Sequence, residues 1–512
     1  MTPRAKPTAV PTFAEAASDP AIMGATFAGE SFALVRALGN VILGQPVPES
    51  ERAAVLARLG GRALPTTQPS ETWLLAGRRA GKTLLCAALA VYVAAFRDYR
   101  GVLGPGERAQ IMALAVDRRQ ARQLVNYVEG LLHQSPLLAA QVERTTAEAI
   151  HLRSRTSIEV HVSNYRHVRG FTLAAAFCDE IAFWRDDESA NPDQEVLAAL
   201  RPALATVPGS LLVCPSTVYA RKGAAWQAFR DHYGRDSDVL VINAPSRTLN
   251  ATIPERVVQR ALADDEPRAR AEWLCEWRGD VESYVSLDVV QAGITPGVVV
   301  RPPEPGITYA AFLDPSGGSS DSFTLGIGHT AHGRDVLDLV HEWRPPFNPS
   351  VVVAECAAIL RDYGITAATS DNYAGVWPRS ALAVQNVRIA VSVKAKNDLY
   401  AALLPRLNSR SVDLLDAPRL VAQLCGLERR VGPSGRDRID HRPGSHDDLA
   451  NVVAGLFGKP RPAWATRADD PAEAHETDGE AADRYQRERA KGYSESITEA
   501  VMSGRGWFPG GR

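Results

Sequence analysis

Residues 71–96 read ETWLLAGRRAGKTLLCAALAVYVAAF, and the first half of the chain is organised around them. Trp73-Leu74-Leu75-Ala76 is a short apolar run of the kind a fully buried strand makes. A turn of Gly77-Arg78-Arg79-Ala80-Gly81-Lys82-Thr83 follows, and from about Leu84 the chain is Ala/Leu-rich and apolar, as in a buried helix. Strand, glycine loop, Lys-Thr and helix together predict a phosphate-binding loop. Glycines let backbone N–H groups turn inward around a phosphate, and the helix start adds partial positive charge. On this reading Ala76, Gly77, Arg78, Arg79, Ala80 and Gly81 cradle a nucleotide, Lys82 reaches its β/γ-phosphates, and the Thr83 hydroxyl ligates Mg²⁺. One position departs from the pattern. The first glycine belongs five residues before Gly81, where Ala76 stands, and the glycine comes one later, at Gly77.

Outward from the loop, Ala109 to Val116 reads as a buried strand and Asp117 to His133 as an amphipathic helix with Asp117 as its N-cap. Ser31–Val41 and Glu49–Leu59 read as short helices before the loop. Ala149 to Val162 alternates apolar and polar residues, predicting two strands with a turn near Arg155. Leu173 to Cys178 is an apolar strand ending in Asp179-Glu180, expected to lie beside the first strand. There Asp179 would bind Mg²⁺ through water and Glu180 would orient and polarise the attacking water. Gly209 to Cys214 is a further strand, followed by Pro215-Ser216-Thr217, a polar strand end placed to sense the γ-phosphate. Val239–Ile242 is a last short strand, and Pro254 to Trp277 reads as one helix. Alternating β and α units predict an α/β fold with a mostly parallel sheet, a P-loop NTPase domain.

The 512 residues suffice for two or three domains. With 45% hydrophobic residues, 23% charged residues and a net charge of −2, the composition is that of a globular protein with no overall basic field, so any nucleic-acid surface must be a local patch. The six cysteines lie at 86, 178, 214, 275, 356 and 425. No spacing suits a zinc knuckle or a disulfide framework, and buried, reduced thiols in a cytosolic protein are expected. The N-terminus lacks signal-peptide organisation. The longest uncharged apolar run, Leu84–Phe96, is too short to span a bilayer.

Expected domains are a flexible arm over 1–28, the ATPase domain over 29–280, a linker over 281–306 where Pro302, Pro303 and Pro305 cluster, a second α/β domain over 307–460, and a flexible Ala/Asp/Glu-rich tail over 461–512. In the second half, strands are predicted over Ile307–Leu313, Phe323–Gly328, Asp335–Trp343, Ile365–Thr369 and Val387–Val393. Helices are predicted over Pro349–Tyr363, Lys396–Leu407 and Leu449–Phe457, with a hairpin over Leu427–Asp440. Asp314 and Asp371 then fall at strand ends, and Asp448, with Asp447 beside it, at the start of the last helix. Hard divalent ions take oxygen ligands, and two ions about 3.5–4 Å apart need several carboxylates at one point. Asp314, Asp371 and Asp448 therefore predict a two-metal nuclease centre.

An ATPase half followed by such a centre resembles the large terminase subunit of tailed bacteriophages, over roughly residues 30 to 460. GRRAGKT matches that family's arginine-rich phosphate loop, whose first glycine is often replaced. LAAAFCDE matches its Walker B element and Pro215-Ser216-Thr217 its coupling motif. Asp314, Asp371 and Asp448, the last in an HDD run, match the acids of its ribonuclease H-like domain. Asp448 is favoured over Asp447 as the ligand, with Asp447 and Asp321 as possible helpers. The resemblance implies a DNA-packaging motor, with ATP and Mg²⁺ in the first domain and Mg²⁺ or Mn²⁺, as two ions, in the second. Its implied partners are double-stranded DNA held without sequence preference, the portal protein, the small terminase subunit and further copies of itself in a ring. It implies work in the host cytoplasm, transiently at the procapsid portal vertex, with no membrane and no place in the mature virion. Arg79, Arg166 and Arg169 are candidates for a charge-stabilising arginine. Arg429, Arg430, Arg436, Arg438 and Arg442, with Lys394 and Lys396, are candidate DNA-phosphate contacts. The competing expectation is a cellular ATP-driven helicase or translocase fused to a nuclease, although no second set of motor motifs follows Thr217.

Overall fold

The computed structural model describes residues 10–163, 170–184, 186, 188–318, 321–371, 377–431, 437–442 and 445–458. The described chain divides into two compact units, one up to residue 282 and one from residue 283 on, with 188–190 belonging to the second.

In the first unit, β1 (Glu71–Ala76), β2 (Ala109–Ala115), β3 (Val142–Thr145), β4 (Ala149–Leu152), β5 (Thr156–Val162), β6 (Leu173–Cys178), β7 (Leu211–Ser216) and β8 (Val239–Ala244) form one sheet. Its order is β3-β4-β5-β2-β6-β7-β1-β8. From β5 to β8 the neighbours are parallel, while β3 and β4 join antiparallel at one edge. β1, β6 and β7 are buried at every residue, as unbroken apolar runs require when both faces are covered. Successive residues go to opposite cores: Leu74, Ile111, Phe177 and Val213 to one, Trp73, Met112, Cys178 and Leu212 to the other. The helix after the loop, Lys82–Phe96, is buried from Leu85 through Ala94, which accounts for its lack of a polar face. Asp117 caps the helix Arg118–Gln134, accepting from the Gln120 N–H at 2.8 Å.

Three expectations are corrected here. The strand ending in Asp179-Glu180 does not lie beside β1, because β7 is inserted between them; strand order follows the crossovers and is not readable from strand sequences. The arm expected over 1–28 is, from residue 10, folded. Thr12 and Glu15 make a capping box for the helix Phe13–Ser18, and Phe13, Met23 and Phe27 are fully buried in the first core. The helix expected over 254–277 is broken into Glu255–Asp264, Glu266–Ala269 and a π-turn over Arg270–Leu274. Asp265 leaves the helical region and caps the second piece, with Pro267 in its first turn.

In sequence β9 (Val281–Ser283) falls at the boundary. The second unit contains β10 (Ala310–Asp314), β11 (Phe323–Ala331), β12 (Arg334–Trp343), β13 (Ala367–Ser370), β14 (Arg388–Val391) and β15 (Val412–Asp413), in the order β14-β13-β10-β11-β12-β15. The sheet is mixed: β10 pairs antiparallel with β11 and parallel with β13. The last helix, Asp448–Phe457, lies on β10 and β11. Its Gly455 meets Phe312 so closely that a Cβ there would fall 2.3 Å from the ring. The stretch expected to be a linker over 281–306 is built into this unit, with Tyr284, Val285, Val290 and Val300 buried in its two cores. The proline cluster thus marks an irregular segment of the unit rather than a spacer. The hairpin appears as β16 (Leu427–Val431) and β17 (Asp437–His441). The expected tail, 461–512, lies outside the described residues.

Among the described residues no helix is long and apolar enough to cross a membrane. Cys86, Cys178, Cys214, Cys275 and Cys356 are buried free thiols, and Cys425 is half-buried.

Candidate functional site

β1 delivers the glycine loop, β6 ends in Asp179-Glu180, β7 ends in Ser216-Thr217, and the three meet through side chains. The buried Lys82 Nζ donates to the Ala76 carbonyl at 2.9 Å, the Gly77 carbonyl at 3.3 Å and Thr217 Oγ1 at 2.9 Å. It lies 3.2 Å from Glu180 Oε1. Thr217 holds the same carboxylate, its N–H donating to Oε2 at 2.8 Å and its hydroxyl to Oε1 at 3.2 Å. Ser216 Oγ donates to the Thr217 carbonyl at 3.0 Å and accepts from the Ala182 N–H at 3.2 Å. Glu180 adopts a left-handed backbone, φ 49°, which costs a non-glycine residue roughly 1–2 kcal/mol. Its N–H donates to the Pro215 carbonyl at 2.8 Å, tying the corner to β7. Asp179 is buried, and burial, then the charge of Glu180, pushes its carboxyl up to about 7 against the pull of Lys82 and a hydrogen bond from Gln120. Gln120 was not among the expected residues. Its place, one turn after a capped helix start that follows β2, was the only signal available.

The loop itself narrows the expected cradle. The N–H groups of Gly77, Arg78 and Ala80 are committed to the carbonyls of Ala244, Glu272 and Gly77. The Arg78 guanidinium pairs with Glu272 at 3.2 Å. Gly77 is the position that needs glycine, since a Cβ there would fall 2.2 Å from Ser246 Oγ; Ala76 is an ordinary strand residue. That accounts for the one-residue shift from the expected pattern. What remains open is the helix start. Gly81 precedes it at φ 90° with no capping side chain, Thr83 is half-buried there, and uncapped first-turn N–H groups are an anion site. Arg79 is exposed, with its carbonyl tied to Asn250. Arg166 and Arg169 lie outside the described residues.

In the second unit Asp314, on β10, accepts from Asn451 Nδ2 at 2.6 Å. Burial, then repulsion from Asp371, pushes its carboxyl up to about 7, and Asp448 adds to the rise. Asp371 is buried just after β13. Burial, then the charge of Asp447, pushes Asp448 up to about 6. Asp448 Oδ2 is a buried atom with no hydrogen-bond partner, with His446 Nδ1 at 3.9 Å. Asp447 is fully engaged: Lys396 Nζ donates to Oδ1 and the Tyr400 hydroxyl to Oδ2, both at 2.8 Å. Gln423 takes over the capping of the last helix, accepting from the N–H groups of Leu449 at 2.7 Å and Ala450 at 3.1 Å.

The three acids thus share one electrostatic neighbourhood. As their side chains stand, however, no three His, Cys, Asp or Glu among the described residues are grouped tightly enough to hold a metal. Crowded carboxylates repel, and Asp314 is held toward Asn451. Asp321 is exposed. Asn451, Lys396, Tyr400 and Gln423 are the partners that the motif reading missed. Asn451 left a trace, as the lone polar residue inside the run LANVVAGLF.

The cations of the expected basic patch have partners within the fold. Arg429 pairs with Asp437 at 2.6 Å, Arg438 with Asp440 at 2.8 Å, and Arg430 and Arg442 both with the buried Glu428 at 3.2 and 2.7 Å. Arg436 lies outside the described residues. Lys394 donates to the Gly458 carbonyl at 2.8 Å, and Lys396 serves Asp447. Within the hairpin, interleaved acids visible in the sequence pair with the described arginines.

Residues 73–192 match the family model described as terminase large subunit, T4likevirus-type, N-terminal. By that match this segment belongs to the large terminase family. The match spans the glycine loop and Asp179-Glu180, whose geometry is given above. Among solved structures the chain is similar to the large terminase of bacteriophage HK97, at 15% identity over 84% of this chain and 99% of that chain, TM-score 0.38. It is similar to the large terminase of a thermophilic bacteriophage, at 11% identity over 81% and 98%, TM-score 0.35. It is also similar to the large terminase nuclease of another thermophilic phage, G20c, at 17% identity over 35% and 99%, TM-score 0.30. At these scores none of the three bears on a residue. No curated protein matched the sequence.

Proposed function

We propose that the chain is a large terminase subunit, a viral DNA-packaging motor that hydrolyses ATP in its first unit and cuts DNA in its second. The observation that carries this is the network of Lys82, Glu180 and Thr217, which joins the ends of β1, β6 and β7. Lys82 and the uncapped helix start at Gly81 bind the phosphates of ATP. Glu180 takes a hydrogen bond from the attacking water and orients it, Arg79 is available for transition-state charge, and Ser216-Thr217 pass the phosphate state along β7. In the second unit Asp314, Asp371 and Asp448 form the cleavage site; the excess of buried acid and the unpartnered Asp448 Oδ2 suit a divalent cation.

Thr83 and Asp179 would hold Mg²⁺ in the first site, and Asp314, Asp371 and Asp448 would hold Mg²⁺ or Mn²⁺, as a pair of ions, in the second. Bound there, the ions would neutralise phosphate charge and lower the pKa of water. Double-stranded DNA read without sequence preference, the portal protein, a small terminase subunit and sister copies in a ring complete the proposal, with action in the host cytoplasm at the procapsid vertex. DNA-stimulated ATP turnover and EDTA-sensitive plasmid cleavage by the same purified chain test it. An ATPase that never cuts plasmid, or a nuclease without ATP turnover, removes the corresponding half.

A further inference from the structure

Lys396 is a half-buried cation among acids that the proposed chemistry does not use. It stands in the first turn of the helix Lys396–Asn408. Its ammonium donates to Asp447 Oδ1 at 2.8 Å, and the buried Tyr400, one turn later, donates to Oδ2 at 2.8 Å. Both oxygens of Asp447, which is 2% exposed, are therefore taken by one helix. Its neighbour Asp448 keeps an oxygen that is buried and has no hydrogen-bond partner. Asp447 is the N-cap, with non-helical backbone angles, and Asp448 the first helical residue, and the two carboxylates face different surroundings. The Lys396 charge also acts on Asp314 and Asp448.

We propose that Lys396 is a positioning residue that, with Tyr400, keeps Asp447 out of the ligand set of the divalent-cation site and leaves Asp448 as the ligand from this corner. The inference rests on reading Asp314, Asp371 and Asp448 as that site. Without Lys396, Asp447 keeps the Tyr400 hydrogen bond on Oδ2 but loses the ammonium on Oδ1, where His441 Nε2 stands 3.9 Å away, and a cation beside Asp448 gains both an extra ligand oxygen and relief from a nearby positive charge. A merely structural lysine predicts the opposite, because a loosened corner binds metal less well.

The test is calorimetric titration of the full chain with Mn²⁺, alongside plasmid cleavage at saturating Mn²⁺. Lys396→Gln is expected to tighten Mn²⁺ binding by about tenfold or more while slowing cleavage, since the added ligand misplaces the ion. Lys396→Arg keeps wild-type affinity. Lys396→Gln with Asp447→Asn returns affinity to near the wild-type value. Tyr400→Phe, which frees only Oδ2, tightens binding by less and covers the case in which Lys396→Gln does not fold. Wild-type binding with unchanged or weaker binding in Lys396→Gln, or in Tyr400→Phe if it alone folds, overturns the role of Lys396 and leaves the site standing. Absence of Mn²⁺ binding in wild type and every variant overturns the site and this role together.

Discussion

The two candidate sites handle charge in opposite ways. In the first, the cation Lys82 is shared between Glu180 and Thr217, and two acids face one ammonium at the mouth of a helix N-terminus. In the second, Asp314, Asp447 and Asp448 share the field of Lys396, and Asp371 adds its charge to Asp314. His441 and His446 stand 3.9 Å from Asp447 and Asp448 respectively, and the lysine is spent on Asp447. A site balanced by a lysine and a helix start suits an anion; one with surplus buried carboxylates suits a cation. The contrast makes the two units separable, because each has its own cores and neither network borrows a residue from the other.

The harshest way to break that separation is Lys82→Ala. It removes the group that touches Glu180, Thr217 and the carbonyls of Ala76 and Gly77, and ATP turnover should fall by on the order of 10³-fold or more, with metal-dependent cleavage kept. Both activities are read on one preparation. Near-normal turnover would end the phosphate-loop assignment, and loss of both activities would deny that the sites are independent.

The mirror experiment is Asp448→Asn, which keeps shape and removes an anionic ligand. Cleavage should drop by roughly 10²–10³-fold while ATPase persists. Asp447→Asn should cost less, because its carboxylate already serves Lys396 and Tyr400. Full cleavage by Asp448→Asn with loss in Asp447→Asn would exchange their roles.

A smaller effect separates the units by acid stability. His341 on β12 is 8% exposed, and burial lowers its pKa from 6.5 to about 4. Its folded pKa lies below the unfolded one, so its contribution is complete above pH 6.5 and is lost as pH falls from there toward 4. Between pH 7 and 5 this linkage amounts to about 2 kcal/mol. Calorimetry of wild type and His341→Gln should show the second unit's transition falling more steeply with acid in wild type. Parallel pH dependences would show that His341 does not set it.

How far the sequence reveals each site follows from how its residues are joined. The lysine-bearing glycine loop is legible because strand, turn, lysine and helix are contiguous, and Asp314, Asp371 and Asp448 because each borders an apolar run. Strand order is not, since β7 enters between β1 and β6 through crossovers that no single segment encodes. The helices Pro192–Ala205 and Gly223–His232 escaped notice too, one carrying Pro202 inside it and the other being only 10 residues long. The folded segment from residue 10 had a local signal, the Thr12–Glu15 capping box, but helices of six and four residues are too short to show periodicity. Partners such as Asn451 to Asp314, at a sequence distance of 137, depend on tertiary structure alone.

The gentlest probe asks whether the first site is a coupled device or only a pocket. Thr217→Ala removes the hydroxyl between Lys82 and Glu180 but leaves the Thr217 N–H on Glu180 Oε2 and the direct Lys82–Glu180 contact at 3.2 Å. Two of the four links survive, both of them on Glu180, so hydrolysis should fall by only about tenfold, the scale of one hydrogen bond to a charged group. Force should suffer more. One of the two lost links ties Lys82, proposed to hold the phosphates, to the end of β7, the strand lying between β1 and β6. Single-molecule packaging beside bulk ATPase measures both, and the expected result is residual turnover with little or no DNA movement. If movement falls only in proportion to turnover, Thr217 helps to hold Glu180 and does nothing further, and the coupling must run through another contact of β7, such as the Glu180 N–H on the Pro215 carbonyl.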